Sequence, residues 1–101
     1  MTADNRVAIA ATLVERAALR YTPAGIPAIE MTLRHRSRQA EAGGERDVEC
    51  ELFAVAFGEV ASAVAEVAPG SPLRCHGFIA RRYRTGTSLA LHLTRFESTD
   101  I

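Results

Sequence analysis

VECELFAVAFGEVASAVAEVAPG, residues 48–70, changes its hydrophobic period once, and the position of that change decides the fold. Up to Phe57 the chain alternates, with Glu49, Glu51, Phe53, Val55 and Phe57 on one face and Cys50, Leu52, Ala54 and Ala56 on the other. This is the twofold period of a strand, and both faces become apolar toward its end, as in a strand that enters a core. After Gly58 the period lengthens. Val60, Val64 and Val67 recur at i, i+4 and i+7 among alanines, which predicts a three-turn helix ended by Pro69-Gly70.

Downstream, Leu73, Cys75, Gly77 and Ile79 define a fourth strand, and Leu89, Leu91 and Leu93 a fifth. Upstream, residues 6–15 place Val7, Ile9, Ala11 and Leu13 on one face of a first strand. Pro23, Gly25 and Pro27 break regular pairing between residues 19 and 27. A second strand runs from Ala28 to Arg38 with Ile29, Met31 and Leu33 inward. Past Leu33 its inner face turns polar at His35 and Ser37, so the strand leaves the core while still extended and becomes one arm of a long hairpin. Residues 39–47 lack an apolar period and contain a glycine pair, so a flexible loop is expected there. Three strands, a helix and two strands, in that order, are the elements of an all-β protein with one short helix: the five-stranded oligonucleotide/oligosaccharide-binding (OB) fold barrel.

The chain of 101 residues has room for one domain, 1–101, which at this size buries about two thirds of its unfolded surface. Apolar residues make up 48% and charged residues 24%, a globular balance without a run long enough to span a membrane. Residues 1–5 carry neither a basic start nor an apolar stretch, so no secretory signal is expected and the cytoplasm is the default location. Cys50 and Cys75 both lie in strand patterns and are expected as buried, reduced thiols. His35, His76 and His92 are isolated, with no metal-ligand spacing. No nucleophile and base fall together, and no phosphate-cradling GxxxxGK loop is present. The expectation is a non-enzymatic protein without cofactor, metal or small-molecule substrate.

Charge is where the sequence speaks of function. All twelve basic residues are arginine, balanced by twelve acids, so positive charge is a matter of placement. Arg81, Arg82, Tyr83 and Arg84 fall at the tip of the last hairpin, within a stretch from Ser71 to Thr94 that contains no acid. Arginine clamps a phosphate with two hydrogen bonds and also stacks on a base. Arg34, Arg36 and Arg38 recur at period two and share one strand face. They read as a phosphate-binding row or as a solvated face that discourages edge pairing. Glu41, Glu45, Asp47, Glu49 and Glu51 lower the potential beside that row and could serve a basic partner protein. In an OB fold the first and last hairpins and the face between them form a groove for nucleic acid, and Arg20 and Tyr21 lie on the first.

Asn5-Arg6, TPAGIP at 22–27, LRHRS at 33–37, EAG at 41–43, PGS at 69–71 and GFI at 77–79 resemble the primosomal replication protein N (PriB) family in order and spacing. The resemblance implies a homodimeric OB fold that binds single-stranded DNA and assists a primosomal helicase, with other primosome proteins, in restarting replication. It also implies basic DNA contacts at Arg20, Arg36 and Arg46 and a basic cluster at Arg81 to Arg84. Two positions depart from the family pattern: Gly44 and Glu49 stand where better-known members carry aromatics. Base stacking on an aromatic contributes roughly 1–3 kcal/mol per base, so this departure implies either weaker DNA binding or a path moved toward Tyr83 and Tyr21, with Tyr83 between arginines as the hypothesised compensation.

The sequence reading is therefore a single-stranded DNA-binding adaptor with nucleic-acid contacts at Arg20, Arg34, Arg36, Arg38, Arg46, Arg81, Arg82, Tyr83 and Arg84. Val7, Ala8, Ile9 and Ala10 offer a smooth strand edge for a second copy. The alternatives are a general protein that coats single strands and a protein-interaction module with weak DNA affinity. General coating proteins usually end in a flexible acidic tail, and the ending ESTDI at 97–101 favours the adaptor.

Overall fold

The computed structural model describes residues 4–99, which leaves the last two residues of the ending weighed above outside the described region. The elements are β1 (Val7–Arg16), β2 (Arg20–Tyr21), β3 (Pro27–Glu41), β4 (Gly44–Phe57), α1 (Glu59–Val64), β5 (Pro72–Arg81) and β6 (Leu89–Ser98). The sheet order is β1-β5-β6-β4-β3-β2, and a further β1–β3 pairing closes the five long strands into a barrel. One strand, β1, serves both partners. Val7 to Thr12 pair with β5, while Thr12 to Arg16 pair with β3 across a register shift between Leu13 and Glu15. Such a shift sharpens the local twist and bends the strand around the barrel.

Leu13, Ile29, Leu33, Leu73, Leu91, Val64 and Cys75 fill the interior with almost no exposure. Burial pushes the Cys75 thiol up to about 11, because the thiolate would lose its hydration there. At Gly77 a Cβ would overlap the His92 carbonyl, so the β5–β6 approach at the register shift admits only glycine. Gly58, at φ 77°, turns the chain from β4 into α1, and its N–H donates to the Pro27 carbonyl at 2.8 Å. Ala61 and Val64 then close one end of the barrel.

Several expectations change. The helix is six residues long rather than three turns. Beyond it the N–H groups of Glu66 and Val67 reach only three residues back, to Ala63 and Val64, so the chain tightens while still bringing Val67 against the core. Contacts to β1 set this exit: Arg16 Nε donates to the Val67 carbonyl at 2.9 Å and the Gly70 N–H to the Leu13 carbonyl at 2.7 Å. The segment around Pro23 carries the two-residue strand β2, paired with Pro27 and Ala28. Cys50 is exposed because it lies on the part of β4 that has left the barrel. Leu89 is 60% exposed, opposite Arg81 at the hairpin end, so only Leu91 and Leu93 of its row enter the core.

The largest correction concerns residues 39–47. There is no flexible loop: β3 and β4 remain paired to Glu41 and Gly44, joined by a two-residue turn. Ala42 at φ 54° and Gly43 at φ 82° supply the two positive values that the tight hairpin turn favoured by twisted strands requires. The hairpin is thus ordered to its tip, although the exposed segment has no apolar face to bury.

Candidate nucleic-acid interface

The physical reason for the ordered arm lies in its register. Arg34, Arg36 and Arg38 stand directly opposite Glu51, Glu49 and Asp47. Their guanidinium groups donate to those carboxylates at 2.8, 2.6 and 2.7 Å, and Arg38 also meets Glu45 at 3.5 Å. Arg46 reaches diagonally to Glu41 at 2.9 Å. Each exposed pair alone is worth about 0–1 kcal/mol, but the four contacts of Arg34, Arg36 and Arg38 form a ladder along one face of the arm, while Arg46–Glu41 lies on the other face. Glu45, Asp47, Glu49 and Glu51 therefore neutralise the arginine row rather than competing with it from a separate loop.

The other face of the arm begins with a polar latch. The Ala10 carbonyl can only accept, so His35 Nδ1 donates to it at 2.7 Å, and Nε2 lies 2.8 Å from Ser37 Oγ. This ties the base of the arm to β1. Beside it, the edge of β1 from Val7 to Ala11 pairs with β5 on one side and carries no strand on the other, among the described residues. Ala8 and Ala10 are exposed, whereas Val7 and Ile9 are partly buried against the core.

The β5–β6 tip is built differently. Arg81 ends β5, the Arg82 N–H donates to the Ser88 carbonyl at 2.8 Å, and Gly86 at φ 97° turns the loop. Arg81, Arg82 and Arg84 have no acidic partner among the described residues. Tyr83 is 59% exposed. The Arg82 guanidinium folds back over the Phe53 ring, 3.6 Å from its centroid and 5.1 Å from that of Tyr83. Phe53 is opposite Thr32 on the face that continues outward into the ion-pair ladder.

Between this tip and the first hairpin lies an open cleft of about 360 Å³ whose walls include Glu15, Arg16, Glu30, Thr32, Phe53 and Arg82. Arg20 approaches Glu30 at 3.6 Å from β2, and Tyr21 beside it is 64% exposed. The structure thus gathers Arg20, Arg82 and Tyr83 around one groove, whereas Arg36, Arg38 and Arg46 lie along the arm. Phe53, Arg16, Thr32 and Glu15 were not singled out in the sequence. Phe53 had a readable signal, an aromatic in register with Glu49 and Glu51 on the outward face. The cleft itself had none, because its walls come from four separate segments.

A second set of unassigned side chains lies on the outer sheet: His92 stacks between Phe78 and Phe57, at centroid distances of 4.9 and 6.1 Å. Farther along, His76 Nε2 and Glu97 share a hydrogen bond of 2.9 Å. That bond, with Arg95 and Arg74 nearby, holds the Glu97 carboxyl below its ordinary value. Among the described residues no helix is long and apolar enough to cross a membrane.

A family described as "another single-strand binding protein family" matches residues 5–95. The replication restart protein PriB of Nitrosomonas europaea is 40% identical over 89 residues, 88% of this chain and 82% of that protein. Its counterpart in Pectobacterium carotovorum is 33% identical over 103 residues, 99% of this chain and 97% of that protein. Among solved structures, PriB from Ralstonia solanacearum superimposes with a TM-score of 0.90 at 39% identity, covering 97% of this chain and all of that one. A small single-stranded DNA-binding protein from Streptomyces coelicolor gives a TM-score of 0.73 at 15% identity, covering 97% and 96%, a likeness of fold alone.

Proposed function

The chain belongs to the replication restart protein PriB family, and from that premise we propose that it is a non-enzymatic adaptor that binds single-stranded DNA in the cytoplasm and recruits a primosomal helicase. The observation that carries this reading is the tip of the last hairpin. Arg81, Arg82 and Arg84 lack acidic partners among the described residues, and Arg82 lies on the floor of the groove between the two hairpins. Phosphates run along this tip and bases turn inward. Arg20 extends the track. Arg34, Arg36, Arg38 and Arg46 join it only by exchanging a carboxylate for a phosphate, so their share of the affinity is smaller.

A second copy pairs along the open edge of β1 from Val7 to Ala10, where backbone donors and acceptors face outward beside small side chains. The alternating charges of the arm suit a protein surface of matching pattern, and there the helicase or another primosome protein docks. These assignments rest on family membership together with the charge geometry.

The test is titration of a labelled oligothymidine of about thirty nucleotides, long enough for several sites of roughly 4–16 nucleotides each, beside a duplex of the same length. Three phosphates neutralised by the tip give a slope of log K against log salt of roughly −2 for a single strand. A flat salt response, or equal affinity for the duplex, would overturn the reading. Light scattering on the free protein reads the dimer, and a monomer would end that part of the proposal.

A further inference from the structure

We propose that the cleft between the first and last hairpins is a nucleobase pocket that favours bases bearing an exocyclic amine, cytosine over thymine, with the Phe53–Arg82 stack as its platform. The proposal rests on the reading of the protein as a single-strand binder and adds which base its groove prefers.

The platform is a layered one. The Arg82 guanidinium carbon lies over the Phe53 ring, 3.6 Å from its centroid, and both residues line the cleft. Arginine planes accept base stacking as aromatic rings do, and they keep the charge that holds a neighbouring phosphate. No Phe, Tyr or Trp lies between Arg34 and Leu52, so the arm offers no such ring to a base. Phe53 lies on the same strand face as Glu49, closer to the barrel, and so places the stacking site in the groove rather than on the arm.

The walls supply the selectivity. Thr32 and the carboxylates of Glu15 and Glu30 line the same cleft as Phe53 and Arg82. Glu15 has no ion pair among the described residues, and Arg20 holds only one oxygen of Glu30, at 3.6 Å. A carboxylate can accept from the N4 amine of cytosine, whereas thymine offers a carbonyl oxygen at that position and meets the carboxylate acceptor to acceptor. Arg16, Arg20 and Arg82 offset the two negative charges, so the cleft does not repel the strand that enters it. Its volume of about 360 Å³ lies near the lower end of the range for small-ligand sites, roughly 300–1,000 Å³. That suits one base rather than a stack of several.

The experiment compares oligodeoxycytidine with oligodeoxythymidine of equal length on the full chain at neutral pH. The expected ratio is about fivefold in favour of cytidine, the low end for a hydrogen bond that reads a base edge. Glu30→Gln should bring the ratio down while total affinity holds or rises, since a negative charge has gone. Phe53→Leu should weaken both oligonucleotides together, and Arg82→Lys should do the same while retaining the salt slope, because charge remains and the plane is lost. Equal binding of the two oligonucleotides by the unmodified protein overturns the pocket, as does an unchanged ratio in both Glu30→Gln and Glu15→Gln. If Phe53→Leu binds both oligonucleotides as the parent does, with its fold verified by circular dichroism, the platform is wrong. Failure of the unmodified protein to bind any single strand overturns the single-strand reading as well, which separates the two failures.

Discussion

Two hairpins of this barrel are rich in arginine, and they are electrostatic opposites. On the β3–β4 arm every second residue of β3 from Arg34 to Arg38 meets a carboxylate directly across the strand pair. At the β5–β6 tip, three arginines within four residues meet no acid among the described residues. The first arrangement spends its charge on holding two exposed strands together, and the second leaves it free for an anion. The lesson is that arginine count does not rank candidate phosphate sites; cross-strand partners do.

The widest separation between the hairpins comes from comparing Arg81, Arg82 and Arg84 all changed to Ala with the same change at Arg34, Arg36 and Arg38. With a slope of roughly −2, three tip contacts account for about a 100-fold gain in single-strand affinity at 0.1 M salt relative to 1 M. The tip variant should lose most of that gain, and its salt dependence should flatten. The arm variant should change affinity only a few-fold. Equal losses would erase the distinction between the hairpins.

A pH titration of stability isolates the barrel from both. Cys75 is buried with its pKa raised from 9.0 to about 11, whereas Cys50 sits exposed on the arm. A raised value means that the folded state resists ionisation, so the contribution is complete below pH 9 and is lost as pH rises toward 11. The loss amounts to about 2–3 kcal/mol as an upper figure. Urea melts across this window should show the decline in the parent and in Cys50→Ser, with a smaller decline in Cys75→Ala. The same decline in Cys75→Ala would mean that the buried thiol is not its source.

The smallest effect is the most direct test of the ladder. Glu49→Gln removes the partner that holds Arg36 at 2.6 Å. Stability should fall by no more than about 1 kcal/mol, as for exposed pairs. Single-strand affinity should rise, by roughly fivefold at most, because one guanidinium becomes available and one negative charge disappears. Anisotropy on the variant reads it, and a fall in affinity would mean that the carboxylate, not the arginine, faces the ligand.

The barrel was legible in the residues because its signals are local and periodic. The switch at Gly58 from alternation to a helical spacing fixes the order of elements, and Ile29, Met31 and Leu33 followed by His35 and Ser37 show where β3 leaves the core. The tip of the arm is not legible in the same way, for a physical reason. Residues 39–47 have no hydrophobic period, and what orders them is pairing between side chains such as Arg38 and Asp47 that are opposite only once the register is set. The length of α1 is likewise not written in its own residues, since bonds from Arg16 and Gly70 end it from outside.

By itself, the sequence determined the OB barrel, the outward run of the arginine row and the presence of an acid-free basic tip, because hydrophobic period and charge order are properties of neighbours along the chain. Only the tertiary structure decided which arginines are neutralised, that Arg82 lies on Phe53, and that Glu15, Glu30 and Thr32 share a cleft with them. Those relations join residues 9 to 67 positions apart. They exist only after barrel closure has set the register that brings them within reach of a hydrogen bond or a stacked ring.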